Sequence, residues 1–196
     1  MKTIIIKYPA GNVQSVLFSL ERIGVKAVVT DSQECIKNAK RIILPGVGEA
    51  NYAMKYLKEK KIDTILYNLK QPVLGICLGM QLLCKYSEES NTSCMGIFDL
   101  SVKKFQSNNK TYKIPKIGWN TIHNLKGPLF YKIPDGIYQY FVHGYYAPLG
   151  KDTIAQTEYI IPYSAALQKN NFYAVQFHPE KSSYVGHKIL ENFMNL

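Results

Sequence analysis

Hydrophobic residues recur along the first part of the chain in two alternating patterns, which together predict a parallel sheet. Continuous apolar runs, typical of strands buried on both faces, occupy residues 3–7, 26–30, 41–44 and 73–76. Apolar side chains at helical spacing lie between them, at residues 11–24, 50–57 and 62–69. Strands that alternate with helices are typical of a parallel sheet covered on both faces, with the functional site beyond the carboxyl ends of the strands.

The pattern changes after Tyr86, where short extended stretches follow one another. They occupy residues 95–105, 116–123, 138–146, 153–157, 163–168 and 173–177. Paired asparagines at residues 108–109 and 170–171 are typical of turns, so this half is predicted to be largely antiparallel. A final amphipathic helix is predicted over residues 181–196. We therefore expect an α/β fold in one domain over residues 1–196, with a mostly parallel central sheet flanked by helices and an added antiparallel portion.

One short motif in the first half carries chemistry, because the fourth apolar run ends in Gly75-Ile76-Cys77-Leu78-Gly79 and a helical pattern follows. Such a tight turn from strand to helix strains its central residue and lifts that side chain above the sheet edge. This is the nucleophile elbow, with cysteine in place of serine. Cys77 is also expected near a helix N-terminus, where partial positive charge favours the thiolate. Taken alone the motif is weak, since a buried cysteine in a glycine-bracketed turn explains it equally well.

A nucleophilic thiol needs a base, and His178 is the candidate among the four histidines. It ends an apolar run and precedes Pro179, which favours an extended backbone at His178. Residues two apart in an extended chain point to the same side, so Glu180 can reach the imidazole, fix its tautomer and stabilise its protonated form. His143 is flanked by aromatic residues and is expected to line the site or be buried rather than to act as the base.

Backbone N–H groups for an oxyanion hole are predicted at two places. One is the N–H of Leu78, directly after the nucleophile. The other is Pro45-Gly46-Val47-Gly48, which follows the third predicted strand and therefore lies at the same sheet edge as Cys77. Glycines there permit close approach of the backbone to a substrate. Two glycines after a strand are equally typical of a structural turn, so this assignment depends on the rest of the site.

Composition narrows the function classes. The 196 residues carry a net charge of +10, but the lysines are dispersed, which indicates a solvated surface rather than a nucleic-acid interface. A positive surface also suits an acidic partner. The four cysteines form no Cys-x-x-Cys pair and lie near no histidine at metal-ligand spacing, so we expect free thiols and neither metal nor cofactor. With no apolar run long enough to cross a bilayer and no signal-peptide pattern, a cytoplasmic protein is expected.

Taken together, these motifs resemble those of the class I (triad) glutamine amidotransferases. The resemblance rests on Gly-Ile-Cys-Leu-Gly-Met-Gln at residues 75–81 and Phe-His-Pro-Glu-Lys-Ser at residues 177–182. Three intervening motifs, at residues 45–48, 117–120 and 140–143, are similar to those of the glutaminase subunits of imidazole glycerol phosphate synthases. The similarity spans essentially the whole chain, and the motifs come in the same order.

The resemblance implies a reaction and a role for each motif. Cys77 attacks the side-chain amide of glutamine and releases ammonia, His178 moves the protons and Glu180 orients it. Water then hydrolyses the glutamyl thioester. The residues implied in binding glutamine are Gln81, Glu89, Tyr140, His143 and Gly144.

The resemblance also implies a partner. It is a (β/α)8-barrel synthase subunit, joined in a heterodimer, that receives ammonia through a shielded channel and makes imidazole glycerol phosphate and AICAR in histidine biosynthesis. Shielding matters because ammonia released to water at neutral pH becomes ammonium, which is not nucleophilic. The residues implied at this interface are Asn12, Trp119, Asn120 and Lys181.

Three segments depart from the family pattern. Lys7 and Pro9 stand where the family usually has the acid and the first glycine of an Asp-Tyr-Gly segment, Ala50 replaces an aromatic residue, and Gly144 replaces a hydroxyl residue. None of these departures belongs to the triad. The first and the third bear on the identity of the ammonia acceptor more than on glutamine hydrolysis. The main alternative is therefore a paralogous subunit that supplies ammonia to a synthase amidinating a bacterial surface sugar.

Two alternatives belong to other function classes. A cysteine peptidase or other thiol hydrolase on a related α/β fold would cleave peptides but not glutamine, and the spacing of Glu180 after His178 argues against it. A non-catalytic, partner-binding subunit would leave Cys77 unreactive towards a glutamine-analogue electrophile, and the intact triad argues against that.

Overall fold

The computed structural model describes residues 2–9, 12–109 and 111–196, so the predicted start of the first helix at residue 11 lies outside the described residues. Its strands are β1 (Thr3–Ile6), β2 (Ala27–Thr30), β3 (Arg41–Leu44), β4 (Val73–Ile76), β5 (Cys84–Ser87), β6 (Thr92–Ser93), β7 (Phe98–Lys104), β8 (Lys116–Ile122), β9 (Ile137–His143), β10 (Tyr145–Tyr146), β11 (Thr153–Tyr159), β12 (Ile161–Lys169) and β13 (Phe172–Val175). Its helices are α1 (Val13–Arg22), α2 (Gln33–Lys37), α3 (Ala50–Glu59), α4 (Ile62–Asn68), α5 (Leu78–Leu83) and α6 (Ser183–Met194).

Seven strands form the central sheet, in the order β11-β12-β13-β4-β3-β1-β2. The five strands from β13 to β2 are parallel, whereas β11 and β12 join one edge in antiparallel fashion. The expected α/β class, with a parallel core and an antiparallel addition, is confirmed. β13 comes from the half predicted to be largely antiparallel, yet it lies inside the sheet and pairs in parallel with β4. A pattern of alternating side chains does not specify which strand becomes the neighbour.

Helices cover both faces of this sheet, and the side chains of each strand alternate between them. In β1, Ile4 and Ile6 pack with the apolar side of α2 to α5, including Leu57. Ile5 points the other way and packs with α1 and α6, including Leu20. Burial on both faces explains why these strands appear as continuous apolar runs in the sequence. The longest helix of the described ranges, α6, has 12 residues, and none of those helices has the length and apolar character to cross a membrane.

Two smaller sheets accompany the central sheet. One has the order β10-β7-β5-β6, and the other is the antiparallel pair β8-β9. Cys84, which its spacing from Cys77 predicts to be a buried helix residue, is buried but begins β5. Its ψ of 177° is extended, and it pairs with Phe98 of β7, because α5 ends one residue earlier, at Leu83.

Candidate active site

The turn between β4 and α5 has the geometry of a nucleophile elbow. Cys77 has φ 52° and ψ −108°, a strained conformation for a residue with a side chain. Close packing on both sides holds it there. A Cβ at Gly79 would lie 2.0 Å from the carbonyl oxygen of Leu44, and a Cβ at Gly75 would lie 2.8 Å from the carbonyl oxygen of Gly79. Glycine is therefore required on both sides of the strained cysteine.

Strand pairing brings the histidine motif to this elbow. β13 runs parallel to β4, with Ala174 opposite Gly75, and the Cys77 N–H donates to the carbonyl oxygen of Val175 at 2.8 Å. The chain that leaves β13 therefore passes directly beside Cys77. His178, three residues after Val175, lies near enough to Cys77 for the two side chains to interact. Two motifs 101 residues apart in the chain meet because their strands are neighbours.

The histidine and the glutamate form a buried, hydrogen-bonded pair. His178 Nδ1 lies 2.8 Å from Glu180 Oε1, and each side chain is 1% exposed. A carboxylate only accepts, so Nδ1 carries the proton. His178 Nε2 is buried and makes no hydrogen bond within the described part of the chain, so it is free to exchange a proton with the nearby Cys77. Asn12 Nδ2 donates to Glu180 Oε1 at 3.1 Å and helps to hold the carboxylate in place.

A closed set of hydrogen bonds fixes the backbone that carries this pair. The His178 N–H donates to the carbonyl oxygen of Tyr140 at 2.8 Å. The Tyr140 N–H donates to Ser182 Oγ at 2.9 Å, and that hydroxyl donates to the carbonyl oxygen of His178 at 2.7 Å. Glu180 lies between them, in the 3₁₀ turn Pro179–Lys181. The triad segment is thus tied to β9 as well as to the central sheet.

Two buried histidines near the elbow have opposite protonation. Burial by itself lowers the pKa of His178, but the neighbouring Cys77 thiolate and the Glu180 carboxylate raise it to about 10. Burial lowers the pKa of His143 to about 4. His143 Nδ1 donates to the carbonyl oxygen of Tyr145 at 2.7 Å, and the Tyr163 hydroxyl donates to Nε2 at 3.1 Å. His143 is therefore neutral with both nitrogens in use, whereas the neighbours of His178 favour its protonated form.

The predicted oxyanion elements meet at the elbow, but the N–H of Leu78 is already in use. It donates to the carbonyl oxygen of Gly46 at 3.3 Å. Gly46 packs so closely that a Cβ there would lie 2.8 Å from Leu78 Cβ. Gly48, at the end of the same segment, has a φ of 130°, which favours glycine. The Leu78 N–H becomes free to bind an oxyanion only when the Gly46 carbonyl moves away.

Comparison with known families identifies the chain. The family model described as "Glutamine amidotransferase class-I" matches residues 5–196. The chain belongs to the class I glutamine amidotransferases. The structure brings together the three residues predicted as its nucleophile, base and carboxylate, Cys77, His178 and Glu180.

Curated relatives match the amidotransferase from end to end. A protein of Bacteroides fragilis named imidazole glycerol phosphate synthase subunit HisH is 53% identical over 196 residues, which are 100% of both chains. The protein of the same name from Bacteroides thetaiotaomicron is 48% identical over 100% of both chains. A third, from Shewanella loihica, is 47% identical over 99% of this chain and 90% of its own length.

Solved structures share the fold at low sequence identity. A putative GMP synthase protein from Thermoplasma acidophilum has a TM-score of 0.74 and 20% identity over 100% of this chain and 93% of its own. PurLQS from Thermotoga maritima has a TM-score of 0.69 and 17% identity, over 99% and 97% of the two chains. At this identity the likeness shows the fold alone.

The predicted glutamine-binding residues lie on several elements around the elbow. Gln81 is buried, and its Nε2 donates to the carbonyl oxygen of Tyr145 at 3.1 Å. Glu89 Oε2 accepts from the N–H of Ala50 at 2.8 Å, two residues after the predicted oxyanion segment. Burial raises the pKa of the Glu89 carboxyl, and the charge of Glu49 adds to this. Both Gln81 and Glu89 therefore have part of their hydrogen-bonding capacity committed to the protein.

Tyr140 and Gly144, two further predicted glutamine-binding residues, differ in their surroundings. The Tyr140 ring is partly exposed and packs edge-on against Trp119, with ring centroids 5.8 Å apart. A Cβ at Gly144 would meet only the side chains of Ile114 and Pro115, each at 3.9 Å. The absence of a hydroxyl side chain at this position is therefore not imposed by lack of space.

The four predicted interface residues do not share one environment. Trp119 is 48% exposed, and Lys181 is exposed in the turn beside Glu180. Asn12 lies next to the triad and binds Glu180. Asn120 Nδ2 is used inside the protein, since it donates to Thr157 Oγ1 and to the carbonyl oxygen of Glu158 at 3.0 and 2.8 Å.

Sequence reasoning missed two residues that contact the site. The buried Tyr8 hydroxyl donates to the carbonyl oxygen of Pro45, at the start of the predicted oxyanion segment. Gln176 Nε2 lies 3.7 Å from Cys77 Sγ. Each stands next to a recognised motif, Tyr8 after the first strand and Gln176 before Phe177, and that proximity was the available signal. Within residues 2–9, 12–109 and 111–196, no three His, Cys, Asp or Glu side chains are arranged to hold a metal ion.

Proposed function

We propose that this amidotransferase is the glutaminase subunit of an imidazole glycerol phosphate synthase, which hydrolyses glutamine to glutamate and supplies ammonia for histidine biosynthesis. One observation carries the proposal: a buried Cys-His-Glu triad lies in a chain that aligns from end to end, at 53% identity, with a subunit of that name. Residues 1–196 act as a single amidotransferase domain that needs no cofactor or metal. Glutamine and the intermediates of amino-acid synthesis are cytoplasmic metabolites, so the complex works in the cytoplasm.

The first half of the reaction transfers the glutamyl group to sulfur. The Cys77 thiolate attacks the amide carbon of glutamine, and the carbonyl oxygen becomes an oxyanion. His178 Nε2 then gives its proton to the amide nitrogen, the C–N bond breaks, and ammonia leaves. Glu180 keeps the proton of the neutral ring on Nδ1, so that Nε2 is the atom that exchanges protons with substrate.

The second half returns the enzyme to its starting state. Water gives a proton to His178 Nε2 as its oxygen attacks the thioester carbon. The S–C bond then breaks, the electron pair returns to sulfur, and glutamate leaves. Both halves pass through an oxyanion, which needs backbone donors from Leu78 and from Val47 or Gly48. Because Gly46 occupies the Leu78 N–H, the isolated subunit is expected to hydrolyse glutamine slowly.

Glutamine binds beside the elbow in this proposal. The second oxygen of Glu89 and the Oε1 atom of Gln81 accept from the α-ammonium group of glutamine, because the other polar atoms of these side chains are committed to the protein. Tyr140 and Gly144 line the pocket. The neutral ring of His143 lies behind them and stabilises the pocket wall through its two hydrogen bonds to the protein.

The outer face of β8 and β9 is the proposed contact with the (β/α)8-barrel synthase subunit in a heterodimer. Three large apolar side chains are exposed there, Ile117 at 61%, Trp119 at 48% and Tyr138 at 60%. In the register of this pair, Trp119 lies opposite Tyr140 and Asn120 lies opposite the buried Gln139. Asn120 is thus on the inner face and supports the surface, while Trp119, Lys181 and Asn12 contact the partner. An exposed apolar cluster beside a triad suits a partner that receives ammonia there.

Glutamate release by the purified chain, alone and with the barrel synthase of the same organism, tests the proposal. We expect slow hydrolysis alone and a large increase in the complex. Capture of a synthase that amidinates a surface sugar, with no binding of the histidine-pathway barrel, would contradict the pathway but keep the glutaminase. Cleavage of peptides but not of glutamine would contradict both.

A variant of the apolar cluster tests the proposed contact surface. Trp119→Ala removes a large exposed anchor and should weaken binding of the barrel synthase by about 10-fold or more, as interface aromatics usually do. Tyr131→Ala, at a tyrosine that is 62% exposed elsewhere on the chain, is the matched control. Equal affinities of both variants in titration calorimetry would place the interface elsewhere.

A further inference from the structure

A buried glutamine touches the nucleophile, and the mechanism above does not use it. Gln176 is 0% exposed, and its Nε2 lies 3.7 Å from Cys77 Sγ. Its backbone is held in place, because the Gln176 N–H donates to the carbonyl oxygen of Ala165 at 2.8 Å. We propose that Gln176 is a catalytic residue whose amide donates a hydrogen bond to the Cys77 thiolate. Its role in turnover rests on the proposed function, whereas its effect on the thiolate does not need glutamine.

The orientation of the Gln176 amide follows from its neighbours. A backbone carbonyl only accepts, so Gln81 must turn its Nε2 atom towards the carbonyl oxygen of Tyr145, 3.1 Å away. The same nitrogen donates to Gln176 Oε1 at 3.0 Å. With its oxygen bound in this way, Gln176 presents its NH₂ group to the sulfur. The contact with Cys77 is therefore an N–H···S hydrogen bond.

Besides the nearby His178, two polar groups contact the Cys77 sulfur, and they favour opposite protonation states of it. The carbonyl oxygen of Val142 lies 3.6 Å from Sγ and accepts from the S–H group, so it favours the thiol. Once the proton moves to His178, that carbonyl has no hydrogen to accept, whereas the Gln176 amide can still donate to the sulfur alongside the protonated His178. Because the contact is buried, a hydrogen bond donated to the charged sulfur stabilises the thiolate strongly. Gln176 thus counteracts Val142 and favours the thiolate.

The same contact acts when the thioester breaks. During acylation the sulfur electron pair forms the S–C bond, and the hydrogen bond from Gln176 weakens. During deacylation the S–C bond breaks and the pair returns to sulfur, while the proton of the attacking water resides on His178. Gln176 then stabilises the departing thiolate. Its loss should lower kcat for glutamine about 10-fold or more with little change in KM, because the contact is to the reacting atom and not to bound glutamine.

Alkylation of Cys77 over a range of pH measures the thiolate directly. The full-length chain reacts with iodoacetamide, and mass spectrometry of the peptide that contains Cys77 separates this thiol from the exposed Cys35. Gln176→Met keeps the length of the side chain but loses the donor, and the pH midpoint of alkylation should rise by about one unit. Gln176→Glu keeps an acceptor for Gln81 but places a carboxylate against the sulfur, and should raise the midpoint further.

The other titratable groups around the sulfur are unchanged in these variants. His178 and Tyr8 interact with Cys77 directly, whereas Glu180 and His143 interact with His178. The matched control is Gln139→Met. Gln139 is also 0% exposed, but neither of its amide atoms has a hydrogen-bond partner among the residues described. We expect its alkylation midpoint to equal that of the wild type.

Circular dichroism and thermal unfolding show which variants are folded. If Gln176→Met does not fold, Gln176→Leu, which also lacks the donor and adds no charge, takes its place. Unchanged midpoints in the folded Gln176 variants, or an equal rise in Gln139→Met, would overturn the inference. If the wild type with its barrel partner released no glutamate, the proposed function would fail. The alkylation midpoints would still support or overturn the donor role of Gln176.

Discussion

The two sides of Cys77 differ in how far they are prepared for catalysis. On the histidine side, His178 and Glu180 are 1% exposed and joined by a hydrogen bond of 2.8 Å, and the pKa of His178 is raised to about 10. On the loop side, the predicted oxyanion donor of Leu78 is bound to the Gly46 carbonyl. The predicted base is thus held in place beside Cys77, whereas the predicted oxyanion site is closed.

The difference follows from what holds each side. His178 follows a strand buried in the middle of the central sheet, and its backbone is also bonded to β9 through Tyr140. The loop side is a short segment between β3 and α3, held by the Leu78 N–H and the Tyr8 hydroxyl. A few hydrogen bonds are easier to exchange than paired strands, so changes in activity are expected to start at the loop.

Cys77→Ala removes the atom that both sides serve, and should have the largest effect. Without the sulfur no thioester forms, so glutamine hydrolysis in the complex should fall by about 10⁴-fold or more. Binding of the barrel synthase should persist, because Cys77 is buried. Cys35→Ala, at the exposed thiol, is the control for both assays. Residual hydrolysis near the wild-type rate would remove Cys77 as the nucleophile.

Glu180→Gln breaks the histidine side alone. Without the carboxylate the imidazolium is less stable, so the pKa of His178 should fall from about 10 towards its ordinary value of 6.5, and the ring should lose its proton at lower pH. NMR titration of the histidine ring measures that fall, and kcat for glutamine should drop by about 10³-fold. Glu59→Gln, on the exposed end of α3, should change neither quantity. A His178 pKa that stays near 10 would assign the whole shift to Cys77.

Gly46→Ala breaks the loop side alone. A Cβ at Gly46 would lie 2.6 Å from the Tyr8 hydroxyl and 2.8 Å from Leu78 Cβ, so the segment must move. Glutamine turnover in the complex should fall by about 100- to 1000-fold, the range for loss of an oxyanion donor. Iodoacetamide should still alkylate Cys77 with the wild-type pH midpoint, since the histidine side is intact. A shifted midpoint would show that the two sides are coupled.

Tyr8→Phe should have the smallest effect, and it tests whether Tyr8 restrains the loop at residues 45–48. It removes the hydrogen bond to the Pro45 carbonyl and should lower the free energy of unfolding by about 1 kcal/mol. The loop then moves more easily, so amide hydrogen exchange of residues 46–48 should speed up. Glutamine hydrolysis by the isolated subunit should rise by about threefold, as weak restraint is relaxed.

Its control is Tyr67→Phe, at a tyrosine that is 59% exposed on α4 and far along the chain from the loop. Equal exchange rates in the two variants would mean that Tyr8 does not restrain the segment.

Local features of the site could be predicted from the sequence, because short-range geometry decides them. The elbow at Cys77 follows from a strand, two glycines and a helix in succession, and the pairing of His178 with Glu180 follows from an extended chain fixed by Pro179. The parallel core also follows from alternating apolar runs, since such runs need cover on both faces.

Contacts between distant segments were decided by the tertiary structure. β13 pairs in parallel with β4, although its half of the chain was predicted to be largely antiparallel. That pairing brings Gln176 and His178 close to Cys77. The bond from Leu78 to Gly46, and the inward side chain of Asn120, likewise depend on register and packing between separate elements. The alternation of side chains along a strand predicts which residues share a face of the sheet. It does not predict which strands are neighbours, because strand order depends on the packing of the whole core.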